Sequence, residues 1–157
     1  PSLPQMSDLT EREMDEFKRI KKDCGINLDI LSSKFTAIGN LILCNDRGAI
    51  ISKNLPKMEK SKIENCLGVE CEVSRIAKMF TVGSCGIATN KGCLVHRDAK
   101  EDEIKFIQDV LKVDVDIGTA NFGSPFVGSC SIANSNGCLV GESTSGPEIQ
   151  RFYEALS

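Results

Sequence analysis

The residues of this chain best suited to covalent or metal chemistry are eight cysteines and a single histidine, His96. A cysteine thiolate beside a histidine base can act as a nucleophile, and close pairs of cysteine and histidine bind zinc. No Cys-x-x-Cys pair occurs, and most of the cysteines stand inside apolar runs, where a thiol behaves as a small apolar side chain. We therefore expect reduced cysteines with no disulfide and no bound metal, and a structural role for His96. The cysteines are Cys24, Cys44, Cys66, Cys71, Cys85, Cys93, Cys130 and Cys138.

A second group of regularly spaced residues consists of glycines that precede apolar runs. The leading glycines Gly39, Gly83 and Gly128 are 44 and 45 residues apart. Nine positions after each of them, a second glycine ends a polar corner; these corner glycines are Gly48, Gly92 and Gly137. Two near-equal periods with a fixed internal offset indicate an internal repeat, so the elements that position these residues are expected to repeat as well.

Each repeat is predicted to contain a hairpin, a helix and a strand. The corner between two apolar runs predicts an antiparallel hairpin with a type I turn followed by a left-handed glycine. Capping residues with apolar positions at helical spacing predict the helices, and apolar–polar alternation predicts the strands. The predicted hairpins are 36–51, 82–95 and 127–140, the helices 7–24, 57–67, from Asp98 onward and 147–156, and the strands 28–31, 69–73 and 113–117.

The repeat predicts an α/β fold in which the units pack side by side. One unit cannot bury both its helix and its strands, so neighbouring units must cover one another. A closed ring is favoured over an open array because closure leaves no strand edge exposed. The chain holds about 3.5 units, which divide it into 1–35 (partial), 36–79, 80–122 and 123–157. The partial first unit, together with the missing initiator methionine, leads us to expect that an N-terminal part is lacking.

Composition excludes some classes of function. The net charge of −3 argues against a general nucleic-acid-binding protein, which would need a basic face. No apolar run approaches the roughly 20 residues that span a bilayer, and no secretory signal is visible. These features lead us to expect a protein of the cytoplasm.

Several motifs resemble the translation initiation factor 6 family, the ribosomal anti-association factors of archaea and eukaryotes. The resemblance covers nearly the whole chain in register and is closer to the archaeal branch, because the chain ends with its last predicted helix. Arg97 departs from the pattern, since proline usually follows the histidine. The motifs are the segments 36–40, 45–46, 81–84, 89–96 and 118–121, together with Gly141.

The resemblance implies a fold, an activity and a set of partners. The fold is a pentein-type β/α-propeller, a closed ring of five hairpin–helix–strand units. The activity is to bind the large ribosomal subunit at its inter-subunit face, near the sarcin–ricin loop and a neighbouring ribosomal protein, and to prevent association with the small subunit. A role in late large-subunit biogenesis is also implied. No catalysis, cofactor, membrane or small-molecule substrate is implied, and the full-length protein is expected to be a monomer.

The family's contact surface is one rim of the ring, and Asn40 is its best candidate for a specific contact. Gly83 and Gly128 have the alternative role of tight-turn residues, and Phe126 is either an exposed anchor or a side chain packed on its own unit. The matched ribosome-binding positions are Thr36, Gly39, Asn40, Gly83, Ser84, Phe126 and Ser129.

The asparagines of the corners and a basic cluster in the first predicted helix each have a structural and a functional interpretation. Asn45, Asn90 and Asn134 could line a central channel, but we favour a role in turns and caps. The basic cluster 18–22 could contact rRNA phosphates, although a solvated helix face balanced by acidic residues is the simpler interpretation.

Two other functions remain as alternatives. Pentein guanidine-modifying enzymes use a cysteine nucleophile and a histidine, which here would be His96 with Cys93, Cys130 or Cys138. A repeat scaffold with no ribosomal role is the second alternative.

Overall fold

The computed structural model describes residues 11–31, 35 and 37–157, without the side chain of residue 11. The helices are α1 (Glu11–Cys24), α2 (Lys60–Leu67), α3 (Val82–Cys85), α4 (Glu101–Leu111) and α5 (Gly146–Leu156). The strands are β1 (Ile42–Cys44), β2 (Ala49–Ser52), β3 (Cys71–Ser74), β4 (Gly86–Ala88), β5 (Gly92–His96), β6 (Asp114–Gly118), β7 (Ser131–Asn134) and β8 (Gly137–Val140). Short 3-10 turns cover Ile38–Leu41, Lys57–Glu59 and Val127–Ser129. None of the helices in the described part of the chain is both long and apolar enough to span a membrane.

The strands form three separate small sheets that repeat one plan. In the first two sheets an antiparallel hairpin is joined by a third strand, which pairs in parallel with the second strand of the hairpin. The third sheet contains only the hairpin β7–β8 within the described residues. The fold is therefore a mixed α/β arrangement, and its hairpins recur at the spacing that the glycines predict.

Two predicted helices start three residues late, and one short helix was not predicted. Helix α2 begins at Lys60 and not at 57, after the 3-10 turn Lys57–Glu59, and α3 lies at the predicted start of the hairpin 82–95. Helix α2 ends at Gly68, which takes the left-handed conformation with φ +73°, as a C-terminal glycine often does. Helix α4 begins at Glu101 rather than at the predicted Asp98, because the carboxylate of Glu103 accepts the backbone N–H of Lys100 at 3.1 Å and fixes the first turn there. The predicted start of the first helix, 7–10, lies outside the described residues.

The predicted strand 28–31 is wrong. The chain has no regular secondary structure from Gly25 to Leu31, and no described strand pairs with it. Alternating side chains favour a strand only when a neighbouring strand supplies hydrogen bonds, so the pattern alone does not form one. The other predicted strands are observed with shifts of one or two residues at their ends.

The core lies between successive units. One buried cluster joins Leu43 and Ile50 of the first sheet to Cys93 and Val95 of the second, with Ile107 of α4 between them. A helix therefore covers the sheet of the preceding unit as well as its own. This sharing is the physical reason that one unit could not stand alone.

The corner glycines differ from the prediction. None of them has a positive φ, so the predicted left-handed glycine is wrong at all three corners. Glycine is needed at Gly48 because a Cβ atom there would overlap the carbonyl oxygen of Val110 in α4. The same holds for Gly92 and the carbonyl of Ala155 in α5, whereas a Cβ at Gly137 would meet nothing within 4 Å. Close approach of a helix backbone, and not turn geometry, requires the first two glycines.

Candidate binding rim

The three tight turns that precede the hairpins lie side by side. These turns, Ile38–Leu41, Val82–Cys85 and Val127–Ser129, are called the leading rim below. Each turn is closed by the same bond, in which the backbone N–H of the third residue donates to the carbonyl of the residue before the turn, at 3.0 to 3.1 Å. The rim is thus built from a repeated local structure.

The leading glycines hold neighbouring turns together. A Cβ atom at Gly83 would overlap the carbonyl oxygen of Gly39, and one at Gly128 would overlap the carbonyl oxygen of Gly83. Backbones can approach this closely only where no side chain intervenes. Gly83 and Gly128 therefore have a structural role, whereas a Cβ atom at Gly39 would meet no described residue within 4 Å.

The predicted contact residues differ in exposure along the rim. Asn40 is exposed, and its side chain makes no hydrogen bond within the described part of the chain; Ser129 is exposed as well. Ser84, in the central turn, is only 7% exposed because turns pack on both of its sides. The structure brings Gly39, Asn40, Gly83, Ser84 and Ser129 together in the leading rim, with Ser84 buried between the neighbouring turns, while Thr36 lies outside the described residues.

Phe126 is half-buried and not an exposed anchor. Its ring meets the imidazole of His96 edge to face, with ring centroids 5.5 Å apart, and it packs against the core. Phe126 belongs to the unit 123–157, whereas His96 and this core belong to the units before it, so the ring packs on the neighbouring units and the predicted packing on its own unit is wrong as well.

His96 and Cys93 both have the environment of core residues. Burial lowers the pKa of His96 although the carboxylate of Asp98 is near, and its Nδ1 accepts the backbone N–H of Asp98 at 3.1 Å. Burial raises the pKa of Cys93 to about 12, so this thiol stays protonated at neutral pH. All eight cysteines are free thiols, and the described residues contain no cluster of three or more potential metal ligands.

The polar corners, which join the two strands of each hairpin, link neighbouring units at the end of the strands opposite the leading rim. The side chain of Asn45 donates to the carbonyls of Thr89 and Leu111, at 3.1 and 2.9 Å. Asn90 donates to the carboxylate of Asp46 at 2.6 Å. Asn134 accepts two backbone N–H groups of its own corner. These bonds support the predicted turn and capping roles of Asn45 and Asn134. Asn90 instead links two units through Asp46, and the hydroxyl of Thr89 accepts the backbone N–H groups of Lys91 and Gly92 in its corner.

The basic cluster 18–22 lies on α1, and part of its charge is balanced within the helix. Lys18 pairs with Asp15 at 3.1 Å, and Arg19 pairs with Glu16 at 3.3 Å. All four side chains are more than half exposed, which fits a solvated helix face.

A loop beside the rim was missed by the sequence analysis. After β6 the chain turns through Asn121 and Phe122, whose φ values of +48° and +62° are left-handed. The carboxylate of Glu148 in α5 accepts the backbone N–H groups of Phe122 and Gly123, at 3.2 and 2.8 Å. The only sequence signals for this loop are Asn121 before a nearby Gly123 and the glutamate in the first turn of the next helix.

The preceding unit contains a matching loop. Ala77 and Lys78 have φ values of +50° and +67°, and the carboxylate of Glu103 in α4 accepts the backbone N–H of Ala77 at 3.1 Å. The loop is thus part of the repeat, but its exposed tip is Lys78 in one unit and Phe122 in the next.

The described units are repeated α/β units that meet along a common rim, and His96 and Cys93 belong to their core, so the structure defines an α/β repeat protein. Comparison of the sequence with known proteins gives the family: a model of the eIF-6 family matches residues 5–155, and the chain belongs to that family.

Archaeal proteins named translation initiation factor 6 are the most informative relatives. The chain is 45% identical over 148 residues to the one from Pyrococcus horikoshii, covering 93% of this chain and 65% of the relative. It is 49% identical over 150 residues to one from Methanococcus maripaludis, covering 94% and 66%. The chain therefore spans about two thirds of the length of these curated relatives.

Proposed function

We propose that this protein is a ribosomal anti-association factor that binds the large subunit at its inter-subunit face and keeps the small subunit from joining. Family membership supports a role as a translation initiation factor in protein biosynthesis. The proposed binding surface rests on the side chain of Asn40, which is exposed and makes no hydrogen bond to any described residue. It stands beside Gly39, where a Cβ atom would meet none of the described residues within 4 Å. An amide with free donors and an acceptor next to accessible backbone suits close contact with a partner.

The proposal also includes the architecture, the oligomeric state, the location and the biogenesis role of this factor. The complete fold is a pentein-type propeller in which each unit turns by a fifth of a circle, and the complete protein is a monomer in the cytoplasm. It takes part in late large-subunit biogenesis and acts by steric exclusion, without a cofactor, a membrane or a small-molecule substrate. The repeated units and shared cores support this architecture, because each unit is covered by the next.

Binding, and not catalysis, is the activity that the environments of His96 and Cys93 support. A nucleophilic cysteine needs an accessible, readily ionised thiol with a base in reach. Cys93 is fully buried with a pKa near 12, and Nδ1 of His96 is occupied by a backbone N–H.

The variant Asn40→Glu tests the proposed rim. A carboxylate there loses the amide donors and brings an unpaired charge into the interface, so we expect subunit affinity to fall by roughly 30- to 1000-fold, or about 2 to 4 kcal/mol. The measurement is co-sedimentation with purified large subunits, with circular dichroism to confirm the fold.

Asn136→Glu is the matched control for this experiment. Asn136 is exposed in the corner between β7 and β8, at the end of these strands opposite the leading rim. Its side chain makes no hydrogen bond to any described residue. Asn90 would be a poorer control because a glutamate there would face Asp46. The control should bind within about twofold of wild type. Normal sedimentation of folded Asn40→Glu would show that the rim is assigned wrongly.

A further inference from the structure

Phe122 is the most exposed large apolar side chain among the described residues, at 87%. A single exposed apolar residue is common on protein surfaces and needs no explanation by itself. Phe122 differs because the backbone beneath it is held in an unfavourable conformation.

The backbone at this tip is left-handed at three successive residues. Asn121, Phe122 and Gly123 have φ values of +48°, +62° and +104°. Glycine adopts such angles without strain, whereas a bulky residue such as phenylalanine rarely does. The ring is therefore displayed outward at an energetic cost that a glycine at the same position would avoid.

Hydrogen bonds fix the direction in which Phe122 points. Ala120 and Ser124 exchange two backbone bonds across the loop, at 2.9 and 2.7 Å. Glu148 accepts from Phe122 and Gly123, and Thr144 accepts the backbone N–H of Asn121. A side chain on a rigid loop loses less entropy on binding than one on a flexible loop, which favours affinity.

The loop leads directly into the leading rim. It precedes Val127–Ser129, and the equivalent loop with Lys78 at its tip precedes Val82–Cys85. Phe122 therefore stands beside the surface that the proposed function assigns to the ribosome.

The charges near Phe122 favour a protein partner over RNA. The segment 118–126 contains no lysine or arginine, and the carboxylate of Glu148 accepts its backbone N–H groups. The stem of Arg151 lies beside Gly118, but its guanidinium group is paired with the carboxylate of Asp116 at 2.8 Å. Aromatic residues that stack on RNA bases generally work with nearby cations that hold the phosphates. Aromatic residues that anchor protein interfaces instead fill desolvated apolar pockets.

We propose that Phe122 is an anchor that inserts into an apolar pocket on a protein component of the large ribosomal subunit. The inference rests on the proposed function and adds to it a contact residue and the chemistry of its partner.

Substitutions of Phe122 test the inference by co-sedimentation with large subunits. Phe122→Ala should weaken binding by roughly 10- to 100-fold, as loss of an interface anchor does. Phe122→Leu keeps apolar volume and should lose less than about fivefold. The control is Tyr153→Ala, which removes an aromatic side chain of α5 that is 75% exposed. Tyr153 lies in the part of α5 whose backbone approaches the corner at Gly92, so this variant should bind within about twofold of wild type.

Phe122→Gly separates binding from folding. Glycine relieves the left-handed strain, so its thermal midpoint should equal or exceed that of wild type while its binding falls as much as that of Phe122→Ala. A variant that is at least as stable as wild type and yet binds less well cannot have lost binding through unfolding.

A photo-crosslinking phenylalanine analogue at position 122 identifies the partner. We expect the crosslink on a ribosomal protein. A crosslink to rRNA, with Phe122→Leu binding as weakly as Phe122→Ala, would contradict a protein pocket and indicate base stacking.

If wild type sediments with large subunits and Phe122→Ala does so equally well, the inference about Phe122 fails and the proposed function stands. If wild type does not sediment with them, the proposed function fails and the inference with it.

Discussion

At the scale of single residues, Glu148 organises the loop that carries Phe122. Its carboxylate accepts bonds from Thr119, Phe122, Gly123 and Ser145, which joins the start of α5 to the end of β6. Burial alone would raise the pKa of Glu148, but the bonds from Ser145, Thr119 and Gly123 lower it from 4.5 to about 2.

The lowered pKa of Glu148 predicts an acid-dependent loss of stability. Because the folded-state pKa lies below the unfolded one, the contribution is complete above about pH 5 and is lost as the pH falls from about 4.5 towards 2. We expect Glu148→Gln to lower the free energy of unfolding by about 1 to 3 kcal/mol at pH 7, because an amide cannot accept all of these bonds. The difference from wild type should shrink on acidification.

Urea unfolding at a series of pH values measures this difference. Glu142→Gln is the control, because Glu142 is exposed and its carboxylate bonds to no described residue; it should change stability by less than about 0.5 kcal/mol. A constant difference between wild type and Glu148→Gln from pH 7 to pH 2 would contradict the assignment.

At the scale of elements, the tight turns of the leading rim act as the joints between units. The turns contact one another through backbone atoms, and the leading glycines make this possible. Close backbone approach therefore explains two of the three leading glycines, Gly83 and Gly128, and two of the three corner glycines, Gly48 and Gly92.

Alanine at the leading glycines should have unequal effects. Gly83→Ala would place a Cβ atom on the carbonyls of Gly39 and Ile42, so we expect a loss of about 2 to 3 kcal/mol in the free energy of unfolding. Gly39→Ala meets nothing within 4 Å and should change stability by less than about 0.5 kcal/mol. Chemical denaturation measures both, and equal losses would show that the units are not joined at these glycines.

At the scale of the whole molecule, burial depends on how many neighbours a unit has. Leu94 in β5 is fully buried beneath α5, whereas Leu139, at the equivalent position of β8, is 74% exposed. Ile50, at the equivalent position of β2, is fully buried as well. A leucine at the same repeat position is thus fully buried in one unit, at Leu94, and exposed in the next, at Leu139.

Truncation of the two leucines tests this description. Leu94→Ala should cost about 2 to 5 kcal/mol, as cavity-forming substitutions do. Leu139→Ala should cost less than about 1 kcal/mol, because an exposed side chain leaves no cavity. The two free energies of unfolding are compared by denaturation in urea. An equally large cost at Leu139 would mean that this side chain is buried in solution by contacts outside the structure described here.

The features that the sequence by itself determined are those set by local chemistry. Apolar runs and polar corners predicted the hairpins, capping residues predicted the helices to within a few residues, and the 44- and 45-residue spacing predicted the repeat. Each of these depends on residues close together in the chain, so the pattern itself contains the information. The family motifs predicted that the starts of the units form a contact rim; the described turns do lie side by side, and their role as a contact surface stays a prediction.

Tertiary structure alone decided the features that depend on what lies against each residue. The segment 28–31 alternates like a strand but pairs with no described strand. The corner glycines lack the predicted left-handed conformation, and two of them, Gly48 and Gly92, serve close approach instead. Packing placed Phe126 against His96 and left Phe122 exposed, although both are phenylalanines in one short segment. Burial, close approach and exposure are properties of pairs of residues far apart in the chain, which is why no local pattern encodes them.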